Sequence, residues 1–583
     1  MALADKAFPR PKLVRTHWMD LNGPWHFKFD DQNKGVMEKW QLKSAFPQTI
    51  RVPFSYESPE SGIGENAFHP VLWYSRDVDI PAEQKGKRVL LHFQAVDYRA
   101  TVWVNGQVVG EHVGGNTAFS FDITPYVKQG ETQQIVVRAE DSKSTSQPRG
   151  KQRWTDENFG CWYVQTTGIW KSVWLEFVAD TYLKHVTVTP NFDEHAVQFD
   201  YELNTNKVEG VQIETVVSFR GKEVRRLSFS PESRYMKLTV DLEADIHEWK
   251  VAHWTPEHPH LYDVAFTVYQ DGKAVDETFS YFGLRKISTK NGQVLLNNRP
   301  IYQKLILDQG YWPHTHLTAP SLEALEQDID AIIAMGFNGV RKHQKIEDER
   351  FYALCDQKGL LVWAEMPSAY TFSREAVGAF TSEWQEVVCQ LAHYPSIIAW
   401  VPFNESWGIK DVLKSKQQQA LTEAIYHLTK SIDETRLVIA NDGWEHTISD
   451  LITLHDYEEF AESFLARYED KEALLSNQYP HNHDKYPFAE GYHYNGQPVL
   501  ISEYGGIAFK SEDGWGYGNQ VATKQAFLQR YEAITDAIKA LPYVSGFCYT
   551  QITDVQQEIN GLLDEKRKPK LDLADIKAVN DKV

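Results

Sequence analysis

Ile397-Ile-Ala-Trp-Val-Pro-Phe403 carries no charge and stops at Asn404-Glu405. So short an apolar run, bounded by polar residues, reads as a strand buried on both faces, the kind a parallel sheet covered by helices requires. Comparable runs recur through the C-terminal half: Ile301–Leu307, Phe337–Arg341, Leu360–Glu365, Leu437–Ala440, Leu451–His455, Val499–Glu503 and Ser545–Thr550. Helical periodicity lies between them; after Ser321 the apolar positions are Leu322, Leu325, Ile329, Ile332 and Ile333. Eight such units over residues 287–583 predict a (β/α)8 TIM barrel, closed by a last helix near Leu573–Val579.

Toward the N-terminus the character changes to β. Arg88–Phe93, Ala100–Val104, Phe119–Ile123, Ile135–Ala139 and Lys171–Phe177 are short strands, and Asn105-Gly106 between Val104 and Gln107 is a two-residue hairpin signal. Residues 1–180 are expected to form a jelly-roll β-sandwich of sugar-binding type. His185–Thr189, Val197–Leu203, Val211–Phe219, Lys237–Leu242, Tyr262–Tyr269 and Glu277–Tyr281 make residues 181–286 an immunoglobulin-like β-sandwich. The fold class is thus multidomain, β plus α/β.

Composition narrows the function. Among 583 residues, 60 Lys+Arg stand against 80 Asp+Glu, a net charge of −20 without a basic stripe. A phosphate backbone or an anionic membrane is repelled by such a surface, so neither nucleic acid nor membrane is expected as a partner. Cys161, Cys355, Cys389 and Cys548 form no metal-ligand or disulfide pattern, and no metal or cofactor is expected. Met1–Trp25, with Lys6, Arg10, Lys12 and Arg15, has no apolar leader core, so the expected location is cytoplasmic. The 18 Trp, 28 Tyr and 29 Phe suit sugar-stacking faces, but aromatic residues also fill β-sheet cores.

In a TIM barrel the reactive groups stand where the strands end at their C-terminal side. Those ends offer Asp308, Arg341 with His343, Glu365, Asn404 with Glu405, Asn441 with Asp442, His455 with Tyr457, Glu503 and Gln551. Glu405 and Glu503, on the fourth and seventh runs, lean over one pocket in this reading. Cleaving a glycosidic bond takes two carboxyl groups, about 5–5.5 Å apart for retention or about 6.5–9.5 Å apart for inversion. Either glutamate taken alone could instead be an ion-pair partner at the barrel rim.

The motifs resemble glycoside hydrolase family 2 along nearly the whole chain. Trp73-Tyr74-Ser-Arg76, Val102-Trp-Val-Asn-Gly106, Thr167-Gly-Ile-Trp170 through Trp174-Leu-Glu176, and Trp254-Thr-Pro with Pro259-His-Leu-Tyr262 are similar to its sandwich signatures. Gly336-Phe-Asn-Gly-Val-Arg341, Trp400-Val-Pro-Phe-Asn404-Glu405-Ser-Trp407-Gly408, Ile501-Ser-Glu503-Tyr-Gly-Gly506 and Tyr549-Thr-Gln551-Ile-Thr-Asp554 with Glu558-Ile-Asn-Gly561 are similar to its barrel. The resemblance implies a retaining exo-β-glycosidase in which Glu405 is the general acid/base and Glu503 the nucleophile. It implies that Asn404 binds the sugar 2-hydroxyl and that Arg341 keeps Glu503 charged. His343, Glu365, His455, Tyr457, Trp407 and Gln551 would line the substrate pocket. Tyr504, next to the nucleophile, should point away by strand alternation.

The first strand departs from the family pattern: Tyr302-Gln-Lys-Leu-Ile-Leu-Asp308-Gln-Gly-Tyr-Trp312-Pro replaces an Arg-Gly-Val-Asn-type segment. Asp308 and Trp312 are therefore expected to touch the sugar, as a hydroxyl acceptor and a stacking face. No Asn-x-Lys pair marks a uronide, although Lys304, Lys342, Lys345 or Lys410 could supply a cation. The substrate is read as a small-molecule or oligosaccharide β-glycoside, nominally a β-galactoside. β-Glucuronide, β-galacturonide and β-mannoside are alternatives, as is a relative that binds carbohydrate without catalysis or a barrel hydrolase using Asp442, His455 or a metal. The resemblance also brings homo-oligomers, and no feature of this sequence selects a state.

Overall fold

The computed structural model describes residues 6–43, 46–128, 130–242 and 251–582; the first five residues of the N-terminal stretch read above lie outside it. A four-stranded antiparallel sheet faces a six-stranded one to form the first sandwich. Trp18–Asp20, Val173–Val178, Arg88–Phe93 and Phe119–Asp122 make the former, and Gly23–Phe29, Val71–Val78, Gln133–Glu140 and Arg99–Val104 lie within the latter. Between them Trp25, Phe27, Leu72, Tyr74, Leu91, Phe93, Val102 and Val137 are buried. At the hairpin, Asn105 and Gly106 both take positive φ, 51° and 78°, the conformation that a two-residue turn between twisted strands demands. The second sandwich packs three strands, Leu183–Asn191, Ala196–Leu203 and Tyr235–Asp241, on a four-stranded sheet led by Val211–Phe219 and Tyr262–Gln270.

Eight parallel strands form the barrel: β1 (Gln303–Asp308), β2 (Gly339–Lys342), β3 (Leu361–Glu365), β4 (Ile397–Val401), β5 (Leu437–Val438), β6 (Ile452–His455), β7 (Val499–Gly505) and β8 (Val544–Thr550). Their order is β5-β4-β3-β2-β1-β8-β7-β6, and the Asp450 N–H bonds the Val438 carbonyl at 2.9 Å where the ends meet. Alternation holds along the strands. Leu305, Leu307, Trp363, Ala399, Val401, Leu500 and Cys548 belong to the interior cluster, which Ile287, Val294 and Leu296 of a short hairpin join. Ile306, Val340, Val362 and Trp400 belong instead to the cluster shared with the helices.

The helices are α1 (Leu322–Ala334), α2 (Glu349–Lys358), α3 (Arg374–Leu391), α4 (Lys416–Ile432), α5 (Ala461–Tyr468), α6 (Lys471–Leu475), α7 (Lys524–Lys539) and α8 (Leu573–Asp581). Ser321, Ser373, Ser415 and Thr523 cap four of them by accepting a backbone N–H of the first turn. On α1, Leu325, Ile329 and Ile332 are buried, whereas Ile333 is 38% exposed and not part of the core stripe. No helix among the described residues is long and apolar enough to cross a membrane.

Candidate active site

Pro402 has no N–H to give the ladder, so β4 stops at Val401 and the chain resumes at Phe403–Asn404, paired in parallel with Asn441–Asp442. Glu405 and Ser406 then adopt φ of 50° and 56°, a left-handed turn that costs non-glycine residues about 1–2 kcal/mol each. Three bonds offset the strain: Glu405 N–H to Asp442 O at 2.9 Å, Ser406 N–H to Asn441 Oδ1 at 2.9 Å, and Trp407 N–H to Asn404 O at 2.9 Å. The turn leaves the Glu405 side chain 16% exposed at the mouth of the barrel.

Beneath it Arg341 is fully buried and joins three carboxylates. Nε meets Glu365 Oε2 at 2.7 Å, Nη1 meets Glu503 Oε1 at 2.7 Å, and Nη2 meets Asp442 Oδ2 at 2.9 Å and Asn404 Oδ1 at 2.6 Å. A planar five-donor fork can serve this many partners where an ammonium could not. On Glu503, Tyr457 donates its hydroxyl to the other oxygen, Oε2, and His455 Nδ1 lies 3.4 Å away. Burial alone would raise the Glu503 pKa; His455 and Arg341 overcome it and bring it down to about 2. The carboxylate is ionised at any ordinary pH.

His455 lies between the two glutamates. Its Nδ1 is 2.8 Å from Glu405 Oε1 and its Nε2 3.1 Å from Asp442 Oδ2. Burial disfavours the charged ring, but Glu503 and Asp442 outweigh it and raise its pKa to about 10. Its ring is an imidazolium that donates from both nitrogens. Gly443, at φ 91°, lies against this ring: a Cβ there would stand 2.4 Å from Nδ1. Glu405, His455 and Glu503 each offer one atom within 4.8 Å of the others, a spacing that could hold an ion. Both ring nitrogens of His455 are already engaged, by Glu405 and Asp442, and an ion there would have to replace the first of these contacts.

His343 Nδ1 lies 2.9 Å from Glu365 Oε1 and 3.2 Å from Arg341 Nη2, and burial lowers the pKa of the ring despite Glu365. Gln551, also fully buried, accepts from Gln309 at 2.8 Å and donates to Asn560 at 2.8 Å. Asn560 donates to Glu558 at 3.0 Å, and Glu558 accepts from Tyr163 of the first sandwich. Asn404 holds its Oδ1 to Arg341, while its Nδ2 is buried with no partner among the described residues. Tyr504 points outward to Thr535 of α7, 2.8 Å away.

The first-strand residues lie elsewhere. Asp308 is bound to Lys342 at 2.6 Å and to the Gly310 N–H at 2.7 Å. Trp312 is 6% exposed and lies under Arg567, 4.6 Å from its ring. The structure brings neither of them into the carboxylate cluster. Three of the four cations considered for a uronide are held in ion pairs of their own. Lys342 and Lys345 both pair with Glu347, Lys304 pairs with Asp581, and Lys410 is exposed.

A wall of the site comes from residues 149–163 of the first sandwich, which the sequence reading missed. The N–H groups of Arg149 and Gly150 bond the Ser368 carbonyl at 3.0 and 3.1 Å, and Tyr370 donates to Gly150 O at 2.6 Å. Trp162 packs 5.6 Å from Trp407 and 5.5 Å from Tyr370. Lys151 lies 4.9 Å over the Trp407 ring. Asp442 had been visible as a strand end without a task in the paired-carboxylate reading. It proves to bond both Arg341 and His455.

Comparison with known proteins agrees with this architecture. Residues 18–178 match "Glycosyl hydrolases family 2, sugar binding domain", residues 181–285 "Glycosyl hydrolases family 2", and residues 287–583 "Glycosyl hydrolases family 2, TIM barrel domain". A β-galactosidase of Thermoanaerobacter pseudethanolicus is 26% identical over 69% of this chain and 52% of its own length. Mouse β-glucuronidase is 24% identical over 90% of this chain and 83% of its own. A solved structure of β-glucuronidase from Ruminococcus gnavus superposes with a TM-score of 0.79 at 18% identity, covering 99% of each chain. The chain spans about half the length of the first two curated relatives it matches. Family descriptions covering both sandwiches and the barrel establish that this chain belongs to glycoside hydrolase family 2.

Proposed function

We propose that the protein is a retaining exo-β-glycosidase, with Glu503 as nucleophile and Glu405 as general acid/base. The observation that carries this is the placement of Glu405 and Glu503, which bring one carboxyl oxygen each within 4.8 Å. That closeness favours the about 5–5.5 Å carboxyl separation of retaining pairs over the about 6.5–9.5 Å of inverting ones. Glu503, held ionised, attacks the anomeric carbon while Glu405 delivers a proton to the departing glycosidic oxygen. The anomeric C–O bond to the aglycone breaks and the bond to Glu503 forms. Water then enters, Glu405 takes its proton, and the ester to Glu503 is cleaved with the starting configuration restored. Asn404, with Oδ1 fixed and Nδ2 unpartnered, is placed to bind the 2-hydroxyl.

A panel of aryl β-glycosides, followed by NMR of the first-formed anomer, tests the reading. A β-galactoside comes first in the panel and a β-glucuronide second, since the similar proteins include both kinds of enzyme. Release of the β-anomer first is expected. Glu405→Ala should still turn over activated aryl glycosides and give a β-glycosyl azide when azide is added. First release of the α-anomer would overturn retention. Binding without turnover of any glycoside would show a carbohydrate-binding relative instead.

A further inference from the structure

Every cation close to the reacting carboxylates is committed to them, with one exception. Arg341 serves Glu365, Asp442 and Glu503, and His455 serves Glu405, Asp442 and Glu503. Lys151 differs. It is 6% exposed, yet it forms no ion pair with a carboxylate among the described residues; its side chain hydrogen-bonds Cys161. Its ammonium lies 4.9 Å over the ring of Trp407 and 6.0 Å from that of Trp162. Trp407 is two residues beyond Glu405, so the ammonium is held at the carboxylate pocket.

Neighbouring acids do not need Lys151. Glu503 is satisfied by Arg341 and Tyr457, and Glu558 by Tyr163 and Asn560, with Gln309 3.4 Å away. Lysine is seldom this buried without a counter-ion, because its desolvation is costly until an anion arrives. The side chain is also held in place. The Lys151 carbonyl accepts the Tyr163 N–H at 2.8 Å, and a Cβ on the preceding Gly150 would strike the Gln344 carbonyl at 2.5 Å. Neither the aromatic faces nor the Cys161 thiol, whose pKa burial raises to about 11, neutralises the ammonium, so its charge is left for a ligand.

We propose that Lys151, carried into the site by the first sandwich, is the specificity-determining residue for the glycone and binds an anionic substituent of the sugar, a carboxylate or a sulfate ester. This rests on the glycosidase reading above. The Lys151 pKa agrees: burial lowers it, while Cys161 and Glu558 raise it further, so the group is an ammonium at neutral pH. Of the lysines considered from the sequence, Lys304, Lys342 and Lys345 are held in ion pairs, and the reading of the sugar moves to another domain.

The test uses the full-length enzyme and matched aryl β-glycosides: glucuronide against glucoside, galacturonide against galactoside, and 6-sulfogalactoside against galactoside. Wild type should favour at least one anionic member over its neutral partner in kcat/KM. In Lys151→Met that selectivity ratio should fall about 10- to 100-fold, the loss of one charge-assisted contact, and Lys151→Arg should keep more of it. The uronide and sulfate arms show which anion is read. Preference of the wild type for neutral sugars, or a loss in Lys151→Met that is equal for both members of every pair, would overturn the proposal. Failure of the glycosidase reading is separate: it would show as no turnover anywhere in the panel and no labelling of Glu503 by a 2-fluoroglycoside. Thermal melting of both variants reports folding, and Lys151→Arg at wild-type melting temperature with no selectivity left also overturns the proposal.

Discussion

Tyr457 gives Glu503 one of its two hydrogen-bonded supports and stacks on Tyr517 with ring centroids 3.4 Å apart. Tyr457→Phe keeps the stack and removes only the donor. A bond to a charged group contributes about 1.5–3 kcal/mol, so kcat for aryl glycosides should fall about 10- to 100-fold with the melting temperature little changed. His455 carries a pH signature. Its pKa is raised from 6.5 to about 10, so its contribution to stability is complete below about pH 6.5 and disappears as pH rises through about 10. Glu503 is depressed from 4.5 to about 2, and its contribution is present above about pH 4.5 and lost as pH falls toward 2. Melting temperatures of wild type and His455→Gln should therefore differ most near pH 5–6 and converge toward pH 10. A gap that is constant across this range would contradict the imidazolium.

At the scale of elements, the turn Asn404-Glu405-Ser406 and the glycine at 443 do the positioning. A methyl on Gly443 meets His455 at 2.4 Å and faces a φ of 91°, so Gly443→Ala must displace the ring or the backbone. Activity should drop by about 100-fold or more, since misplacing a reacting group by about 1 Å has that effect; circular dichroism should show the barrel intact. Elements also explain what the sequence made legible. Barrel strands are buried on both faces and announce themselves as unbroken apolar runs, and reactive residues follow directly at their ends. Glu405, Glu503, Arg341, His455 and Tyr457, which the structure brings into one cluster, stand at or just beyond such ends. Gly23–Phe29, Gln48–Val52 and Val71–Val78 do not announce themselves so. His26 points outward between buried Trp25 and Phe27, half-buried Lys28 follows them, and Val71–Val78 carries Ser75, Arg76 and Asp77 near its end. Asp308 misled for a related reason: a carboxylate at a strand end can equally be neutralised by a lysine on the neighbouring strand, and Lys342 does so.

Over the whole molecule the pocket is a joint product of two domains. Tyr163 reaches Glu558 across 395 residues of sequence, and no local pattern encodes such a contact. The only trace in the sequence was the density of aromatic residues, which also fills cores; Trp25, Trp73, Trp174, Trp254, Trp363, Trp384 and Trp400 are fully buried. Gly150 carries the docking, at φ 57° with the Gln344 carbonyl where a side chain would go. Gly150→Val should lower kcat/KM on every glycoside while both sandwiches and the barrel stay folded, measured by kinetics beside circular dichroism. Chelation is expected to leave wild-type activity unchanged, since both ring nitrogens of His455 are already engaged, by Glu405 and Asp442.

Residues 149–163 are seated on the barrel by polar bonds that include Arg149 and Gly150 to Ser368, Tyr370 to Gly150, Tyr163 to Glu558, Asn158 to Gln557, Trp515 to the Gly160 carbonyl, and Gln557 to the Gly160 and Trp162 carbonyls. Releasing that seat leaves the separate cores packed, and local openings cost anything up to the full unfolding free energy. Enzymatic activity is thus a more sensitive gauge of damage than structure. In rising urea, or during slow heating, turnover should fade while ellipticity holds, and a ligand that bridges Lys151 and the barrel should bring the two curves together.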